Sequence, residues 1–481
     1  MRNDMRAIPP EEVTFHAMSH ADPNGRLFHW RGGLYRALSH DRSVFVRDLF
    51  DRKVIDRLVS DGLIVDTTLQ GYTLAGFDAI VRQRKIDPVT YPYEWCAEML
   101  RDAAVAMLEL NDRLARQGLT LQDAHSWNMV FDGPHPYFID LGSIVPLDGK
   151  RMWSWTHEFK RFFWNPLLLM CGGLGKTARY LLYDYEHGIC DEQMGGILGG
   201  AGRGLPAAHL NAARKLGRRL VPPTTRRLVH RLVDEVSGRR SENFVDAGPD
   251  SVRRHLAGMR RRVEALTIPG SPSGFPDRSG DGRSGSGPMH DDRGAQSRFL
   301  EILARTSDES LMDVRSSRDW YSLTPAQGKR ILAMDREDSC VAQVYRTAKA
   351  ERLSILPIVG NVLDPAPGLG PCNEYVVPAL SRLKCDMVVA LSLVHDLVFR
   401  RYMRFEPILK SLGAFARRAV VVEFVSRDDD NVNRLSRGWQ PDDYYDWYTT
   451  DTFVRCARRY FAQVEVLPTD CASHVLVYCQ H

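Results

Sequence analysis

The sequence lacks any unbroken run of about eighteen apolar residues. Its most apolar stretches, such as Cys385 to Val398, are interrupted by charge, so an ordinary membrane-spanning helix is not expected. No apolar core follows Met1-Arg-Asn-Asp; acidic Glu11-Glu12 stand there instead, which argues against a signal peptide. The nine cysteines contain no Cys-x-x-Cys pair and are scattered through apolar segments. They read as reduced, mostly buried thiols of a cytoplasmic protein, not as a disulfide frame or a zinc site. Charge imbalance is also small: 64 Lys and Arg against 60 Asp and Glu leave a formal +4, so nothing global demands a nucleic-acid partner.

What is present is a globular composition, 44% hydrophobic, in a 481-residue chain too long for one ordinary domain. The stretch from Ile268 to Gln296 is rich in Gly, Pro, Ser and Arg and cannot bury enough apolar surface to offset ordering, so it is expected to be a disordered linker. It separates residues 1–267, a small N-lobe over 1–90 and a helical C-lobe over 91–267, from residues 297–481. The region from Trp153 to Leu266 reads as helical and Arg-rich; Arg226 to Arg240 and Arg253 to Arg262 interleave Arg with Leu and Val at helical spacing, the pattern of solvated amphipathic faces. Beyond the linker, short apolar runs alternate with helical stretches, as in an α/β sheet.

The first chemistry-bearing segment is Leu121-Gln-Asp-Ala-His-Ser-Trp-Asn-Met-Val-Phe-Asp-Gly, continuing to Tyr137-Phe-Ile-Asp-Leu-Gly142. A helix from Glu94 to Arg116 precedes it, with Met99, Ala103, Met107 and Leu114 near one face and Gly118 as a stop. Met129-Val-Phe and Tyr137-Phe-Ile read as two strands around an Asp132-Gly133 turn, which brings Asn128 beside Asp140 and both near Asp123. The segment resembles the catalytic loop of protein kinases and aminoglycoside phosphotransferases, Asp-x-x-x-x-Asn followed by Asp-Phe-Gly. That resemblance implies a kinase-like α+β domain using ATP with Mg²⁺, Asp123 as the base and Asn128 and Asp140 as metal ligands. Lys85 is the candidate for the phosphate-pairing lysine, with Glu94 as its ion-pair partner. Gln122 stands where a His or Arg is usual, and Asn24-Gly25 and Gly32-Gly33 are weak substitutes for a Gly-rich phosphate loop. Gly172-Gly-Leu-Gly-Lys-Thr looks like a P-loop, but Met170 occupies the position of its first glycine, so a helix-connecting turn is expected.

From Ser310 the strand-like runs are Leu311-Met-Asp-Val, Arg330-Ile-Leu-Ala-Met-Asp335, Ser354 to Val359, Asp386 to Leu391, Ala419 to Val425, Val464 to Leu467 and Ser473 to Tyr478. Five βα units and a terminal hairpin are the plan of class I S-adenosylmethionine (SAM) methyltransferases, an α/β Rossmann-type fold. Asp335 falls at the end of the second strand, 22 residues after Asp313, where a carboxylate can take both ribose hydroxyls. Asp364 follows the third strand, placed for an adenine amine. His395 after the fourth strand is a candidate general base, and Glu423 on the fifth is a second substrate-side candidate.

Together Tyr91-Pro-Tyr-Glu-Trp95, Asp123 to Asn128, Ile355-Leu-Pro and Asp364-Pro-x-Pro367 resemble a bacterial group of SAM-dependent methyltransferases with an N-terminal kinase-like region, related to rhizobial nodulation proteins. The resemblance implies SAM as cofactor, with an unknown small molecule or glycan as substrate. The departure from the pattern is the loop after the first strand, where Arg315 and Asp319 replace glycines that allow close approach to the methionine end of SAM. Three functions follow: a SAM-dependent methyltransferase with an altered SAM loop, an ATP-dependent phosphotransferase carrying a silent methyltransferase fold, or a non-catalytic scaffold of two degenerate enzyme folds.

Overall fold

The computed structural model describes residues 6–16, 19, 25–197, 248–268, 293–314, 328–436 and 441–481. The chain forms two compact units, one of Met1–Asp132 with Pro136–Pro269 and one of Gly133–His135 with Gly270–His481.

The N-terminal unit opens on an antiparallel five-stranded sheet. Its strands are β1 (Thr14–Phe15), β2 (Gly25–Trp30), β3 (Gly33–Leu38), β4 (Thr67–Gln70) and β5 (Ala79–Gln83), in the order β1-β2-β3-β5-β4. The β2–β3 hairpin turns on Arg31 and Gly32, both at positive φ (46° and 74°), with Trp30 paired to Gly33. Two left-handed residues in a two-residue loop match the twist of the flanking strands. Gly32-Gly33 therefore closes this hairpin. Phe28, Trp30, Tyr35, Ala37 and Ile80 bury together in one core cluster. Arg36, between Tyr35 and Ala37, belongs by strand alternation to the opposite face.

Helix α1 (His40–Asp51) follows β3, and helix α2 (Ala97–Ala115) buries Met99, Ala103, Met107 and Leu114, the face its sequence period predicts. Strands β6 (Met129–Asp132) and β7 (His135–Phe138) form a hairpin with Gly133 at φ 55°. Helix α3 (Gly149–Phe159) passes through a π-helical turn, Lys160–Trp164, into a helix at Asn165–Cys171. Gly173, at φ 81°, then separates that helix from the next, Gly175–Leu181, so the P-loop-like run is a turn between helices. Helix α4 (Pro249–Glu264) buries Val252, Leu256 and Val263, while Arg253 pairs with Asp112 at 3.2 Å and Arg260 pairs with Glu109. The described Arg-rich stretch is thus the polar face of an amphipathic helix; Arg226 to Arg240 lie outside the described residues.

The C-terminal unit begins with helix α5 (Arg293–Arg305), four residues inside the stretch the sequence reads as linker. Its Phe299, Ile302 and Leu303 join the core of a seven-stranded sheet, which is the reason it is helical there. The remainder of that stretch, 269–292, lies outside the described residues. The sheet comprises β8 (Ser310–Val314), β9 (Arg330–Asp335), β10 (Ile355–Val359), β11 (Cys385–Ala390), β12 (Ala416–Val425), β13 (Gln463–Pro468) and β14 (His474–Gln480). Their order is β10-β9-β8-β11-β12-β14-β13, with β8 to β12 parallel and β14 antiparallel to both neighbours. Each parallel strand is nearly continuous in buried apolar residues, as a sheet covered on both faces requires. The order reverses between β8 and β11, and in open α/β sheets the ligand crevice lies beyond the carboxyl ends of strands at such a point. Arg315 and Asp319 lie outside the described residues. Among the described residues no helix is long and apolar enough to cross a membrane, and no disulfide joins the nine cysteines.

Candidate functional site

In the N-terminal unit the hairpin β6–β7 does bring its ends together. The backbone N–H of Ile139 donates to the carbonyl of Asn128 at 3.0 Å, which sets Asn128 next to the residue preceding Asp140. The Asp123 loop is fastened to the same turn: Asp123 N–H donates to Ser143 Oγ at 2.9 Å, and Ser143 N–H donates to the Asp140 carbonyl at 3.1 Å. Between Asp123 and Asp140 lies a row of polar atoms without protein partners. His125 Nδ1, Ser126 Oγ, Trp127 Nε1 and Asn128 Nδ2 are all buried and all unbonded. Buried polar groups normally find a partner, so four consecutive exceptions mark a place where a ligand or solvent is accommodated. Desolvation pushes the His125 imidazole down to about 4, against the pull of Asp140, so this ring is neutral at physiological pH. Glu158 on α3 accepts a hydrogen bond from Ala124 N–H, and burial followed by repulsion from Asp123 pushes its carboxyl up to about 7.

The lysine and its partner are not where the sequence places them. Lys85 is half exposed and pairs with Asp87 at 3.2 Å, while the Glu94 carboxylate accepts from Tyr91 N–H at 2.9 Å and closes a capping box. Lys85 lies past the end of β5. The cation that meets Asp140 is Arg36 on β3, with Nη2 3.1 Å from Oδ1. A second arginine, Arg42 on α1, donates from Nη2 to the carbonyls of Leu141 (3.1 Å), Gly142 (2.8 Å) and Ile144 (2.5 Å). Asp140 Oδ1 also accepts from Gly142 N–H at 3.0 Å. The Asp140 carboxylate is thus held through Oδ1 by a guanidinium and a backbone donor. Among the described residues, no group of three or more His, Cys, Asp or Glu could hold a metal ion. Sequence reasoning passed over Arg36 and Arg42 because it sought a lysine near the motif; the alternation of β3 around Tyr35 and Ala37 was the available signal.

In the C-terminal unit, Asp313 and Asp335 sit near the carboxyl ends of adjacent parallel strands, in register with Ala333 and Val359 respectively. Both are buried, at 4% and 6% relative exposure, in positions where a structural sheet would normally place an apolar residue. Asp335 Oδ1 accepts from Glu337 N–H at 2.8 Å, which aims its carboxylate across the start of the following helix. Asp364 is exposed, in a turn held by its N–H to the Asn361 carbonyl at 3.0 Å. His395 lies in the first turn of the helix Val394–Arg401, half-buried beyond β11. These residues thus border the carboxyl side of the sheet, and Asp313 and Asp335 supply acceptors of the kind a ribose requires.

Glu423, the other substrate-side candidate, is engaged within the protein. At 1% exposure it accepts from Ser392 N–H (2.8 Å) and Ser392 Oγ (2.9 Å) and pairs with His474 Nδ1 at 2.8 Å. His474 Nε2 stands 3.5 Å from Asp429. The hydrogen bond to Glu423 raises the imidazole to about 9, despite burial. The carboxyl of Glu423 stays below its ordinary value although desolvation works against it, because His474 and Ser392 favour its charged form. Ser392 is held at φ 50°, so this network fixes the left-handed turn between β11 and His395. Nothing in the sequence signals it, since its members lie 31 and 51 residues apart.

No protein-family model matches the chain. It is 22% identical over 451 residues to nodulation protein NoeA of Rhizobium meliloti (strain 1021), an alignment covering 91% of this chain and 90% of that protein. The chain is a relative of NoeA. Among solved structures it is similar to the bifunctional kinase-methyltransferase WbdD, 15% identical over 43% of this chain and 42% of that one, with a TM-score of 0.27. The chain therefore spans less than half the length of the WbdD chain. Magnesium protoporphyrin IX methyltransferase (ChlM) from Synechocystis PCC 6803 with bound SAH is 12% identical over 41% of this chain and 90% of that one, with a TM-score of 0.27.

Proposed function

We propose that the C-terminal unit is a SAM-dependent methyltransferase acting on a small-molecule or glycan substrate. The observation that carries this is Asp335: a carboxylate buried at the end of the second strand of a sheet ordered β10-β9-β8-β11-β12. A carboxylate in that position accepts both ribose hydroxyls of an adenosine. Asp364, beyond β10, would meet the adenine amine, and Asp313 would face the sugar from β8. Arg315, in the loop that follows, would pair with the SAM carboxylate in place of the missing glycine backbone. SAM supplies a methyl group on a sulfonium, and His395 would take the proton of the attacking hydroxyl. The scattered thiols in apolar segments favour a cytoplasmic setting.

Calorimetric titration with SAM tests this. The parent should bind, and Asp335→Ala should weaken binding by about tenfold or more, the loss expected for a pair of hydrogen bonds to a charged group. A parent that binds no SAM sinks the proposal.

A second reading, that the N-terminal unit holds a nucleotide, is favoured by the four unbonded polar atoms of 125–128 set between Asp123 and Asp140. Here Asp123, half-buried at the loop, would accept the proton of a hydroxyl, and Asn128 would face the phosphates.

A further inference from the structure

We propose that Arg404, stacked over Trp447, anchors an anionic group of the methyl acceptor, so that the C-terminal unit selects a hydroxylated substrate carrying a carboxylate or a phosphate. This rests on the methyltransferase reading of that unit. The residues that carry it are Arg404, Trp447 and Tyr444.

The sheet places all three at the carboxyl end of β12. The helix Phe405–Phe415 runs directly into Ala416, the first residue of that strand, so the other end of the helix lies toward the strand's carboxyl side. Arg404 is the N-cap residue there. Tyr444 and Trp447 come from the segment that follows β12, and this segment is fastened to the end of the strand. Tyr448 Oη donates to the Val425 carbonyl at 2.9 Å, and its ring stacks on Phe424 with centres 4.9 Å apart. Phe405 meets Phe424 at 6.0 Å and Trp447 at 4.9 Å, so both sides of the site rest on one aromatic core. The same segment borders the helix of the proposed base. Phe399 meets Tyr445 and Tyr448, each at 4.7 Å, and His395 lies four residues before Phe399 on the same face of the helix Val394–Arg401.

Arg404 is exposed, with its guanidinium carbon 4.0 Å from the centre of the Trp447 ring and 5.9 Å from that of Tyr444. Stacking on an indole engages the face of a guanidinium and fixes its plane, while the N–H groups point outward along its edge. That edge matches the two oxygens of a carboxylate or phosphate. Among the described residues Arg404 forms no ion pair. Of the acids on these segments, Asp446 pairs with Arg427 at 3.3 Å, Glu406 accepts from Tyr460 Oη at 2.5 Å and Asp396 pairs with Arg400 at 2.9 Å. Asp443 is exposed beside Tyr444 and does not reach Arg404. Trp447 adds a second donor, because its Nε1 is buried and has no acceptor among the described residues. A buried N–H without a partner is rare, and under an unpaired guanidinium it calls for the same kind of group, an accepting oxygen. A hydroxylated anion satisfies both, with an oxyanion for Arg404 and a further oxygen for the indole N–H. Tyr402 and Tyr444, at 55% and 38% exposure, leave apolar ring surface nearby for the body of such a substrate.

The test uses the full chain, labelled with nitrogen-15 and saturated with S-adenosylhomocysteine (SAH). Glucuronate, glucose-6-phosphate and neutral glucose are titrated in turn while the indole N–H resonances are followed. The resonance missing from Trp447→Phe belongs to Trp447. It should shift with at least one of the two anions, at an affinity about tenfold or more above that for glucose. A response to glucuronate alone assigns the anchor to a carboxylate, a response to glucose-6-phosphate alone to a phosphate, and a response to both to either group; each supports the inference. Arg404→Met, which keeps the stem and removes the charge, should bring the anions down to the affinity of glucose with the remaining indole resonances in place. Arg404→Lys, which keeps charge without the planar stack, should recover only part of the loss. Anions that bind no better than glucose, or an unchanged affinity in Arg404→Met, overturn the inference and leave the methyltransferase reading standing. Absence of SAH binding overturns that reading, and the inference falls with it.

Discussion

Glu423 and His474 form an ion pair 2.8 Å apart in the interior of the C-terminal unit, with side chains 1% and 10% exposed. A histidine whose proton is held more tightly in the folded state stabilises that state fully below its ordinary 6.5, and the contribution is lost as pH rises through about 9. Glu423, held low, contributes above its ordinary carboxylate range and loses that contribution on acidification. The pair is therefore strongest from mildly acidic to neutral pH. Replacing His474 with Gln leaves a buried carboxylate without its cation, a loss on the order of 3–5 kcal/mol near neutrality. Urea unfolding of parent and His474→Gln from about pH 6 to about pH 10 should show the gap narrowing as pH rises from 6.5 to about 9. A gap that stays constant across that range would show that the pair acts through packing alone. Asp140 teaches a related lesson. Its ion-pair partner Arg36 lies on a strand far outside the motif, so the motif does not contain the residue that balances its charge.

At the scale of elements, β3 and α1 settle the N-terminal site. Strand alternation sends Tyr35 and Ala37 to the core and Arg36 to the other face, and the helix that follows begins at His40, so Arg42 falls in its first turn. Two arginines six residues apart thus converge on one turn from a strand and from a helix. Arg42 supplies three carbonyl groups with their donor. Arg42→Ala should destabilise the N-terminal unit by about 3 kcal/mol, since charged donors are worth about 1.5–3 kcal/mol and buried carbonyls would be left unbonded. Differential scanning calorimetry can read this. A midpoint unchanged from the parent would mean that solvent replaces the clasp. In the other unit the elements were more legible: β9 runs Arg330–Asp335 as its sequence reads, and β12 begins at Ala416, three residues before the apolar run that announces it. Those strands are buried on both faces and spell themselves out as continuous apolar runs.

For the whole molecule, the Gly, Pro and Ser content of 268–296 and the split into two units lead to the expectation that the halves fold separately. Limited proteolysis should cut first between 269 and 292 and leave two fragments that each keep a cooperative melting transition. First cuts elsewhere, or fragments that do not melt cooperatively, would count against two autonomous folds. The sequence by itself determined the strands beyond that stretch, the helix that precedes Gly118, the position of Asp313 and Asp335 at the ends of their strands, and the hairpin that sets Asn128 beside Asp140. All of these rest on interactions between near neighbours in the chain: apolar period, turn residues and caps. The tertiary structure alone decided that α5 starts at Arg293, because its helical stability comes from packing Phe299 and Ile302 on a sheet. It alone paired Arg36 with Asp140 over more than a hundred residues, bound Glu423 to His474, and turned Lys85 toward Asp87. Local pattern cannot report such pairings, because the energy of a buried charge depends on which opposite charge the fold brings to it.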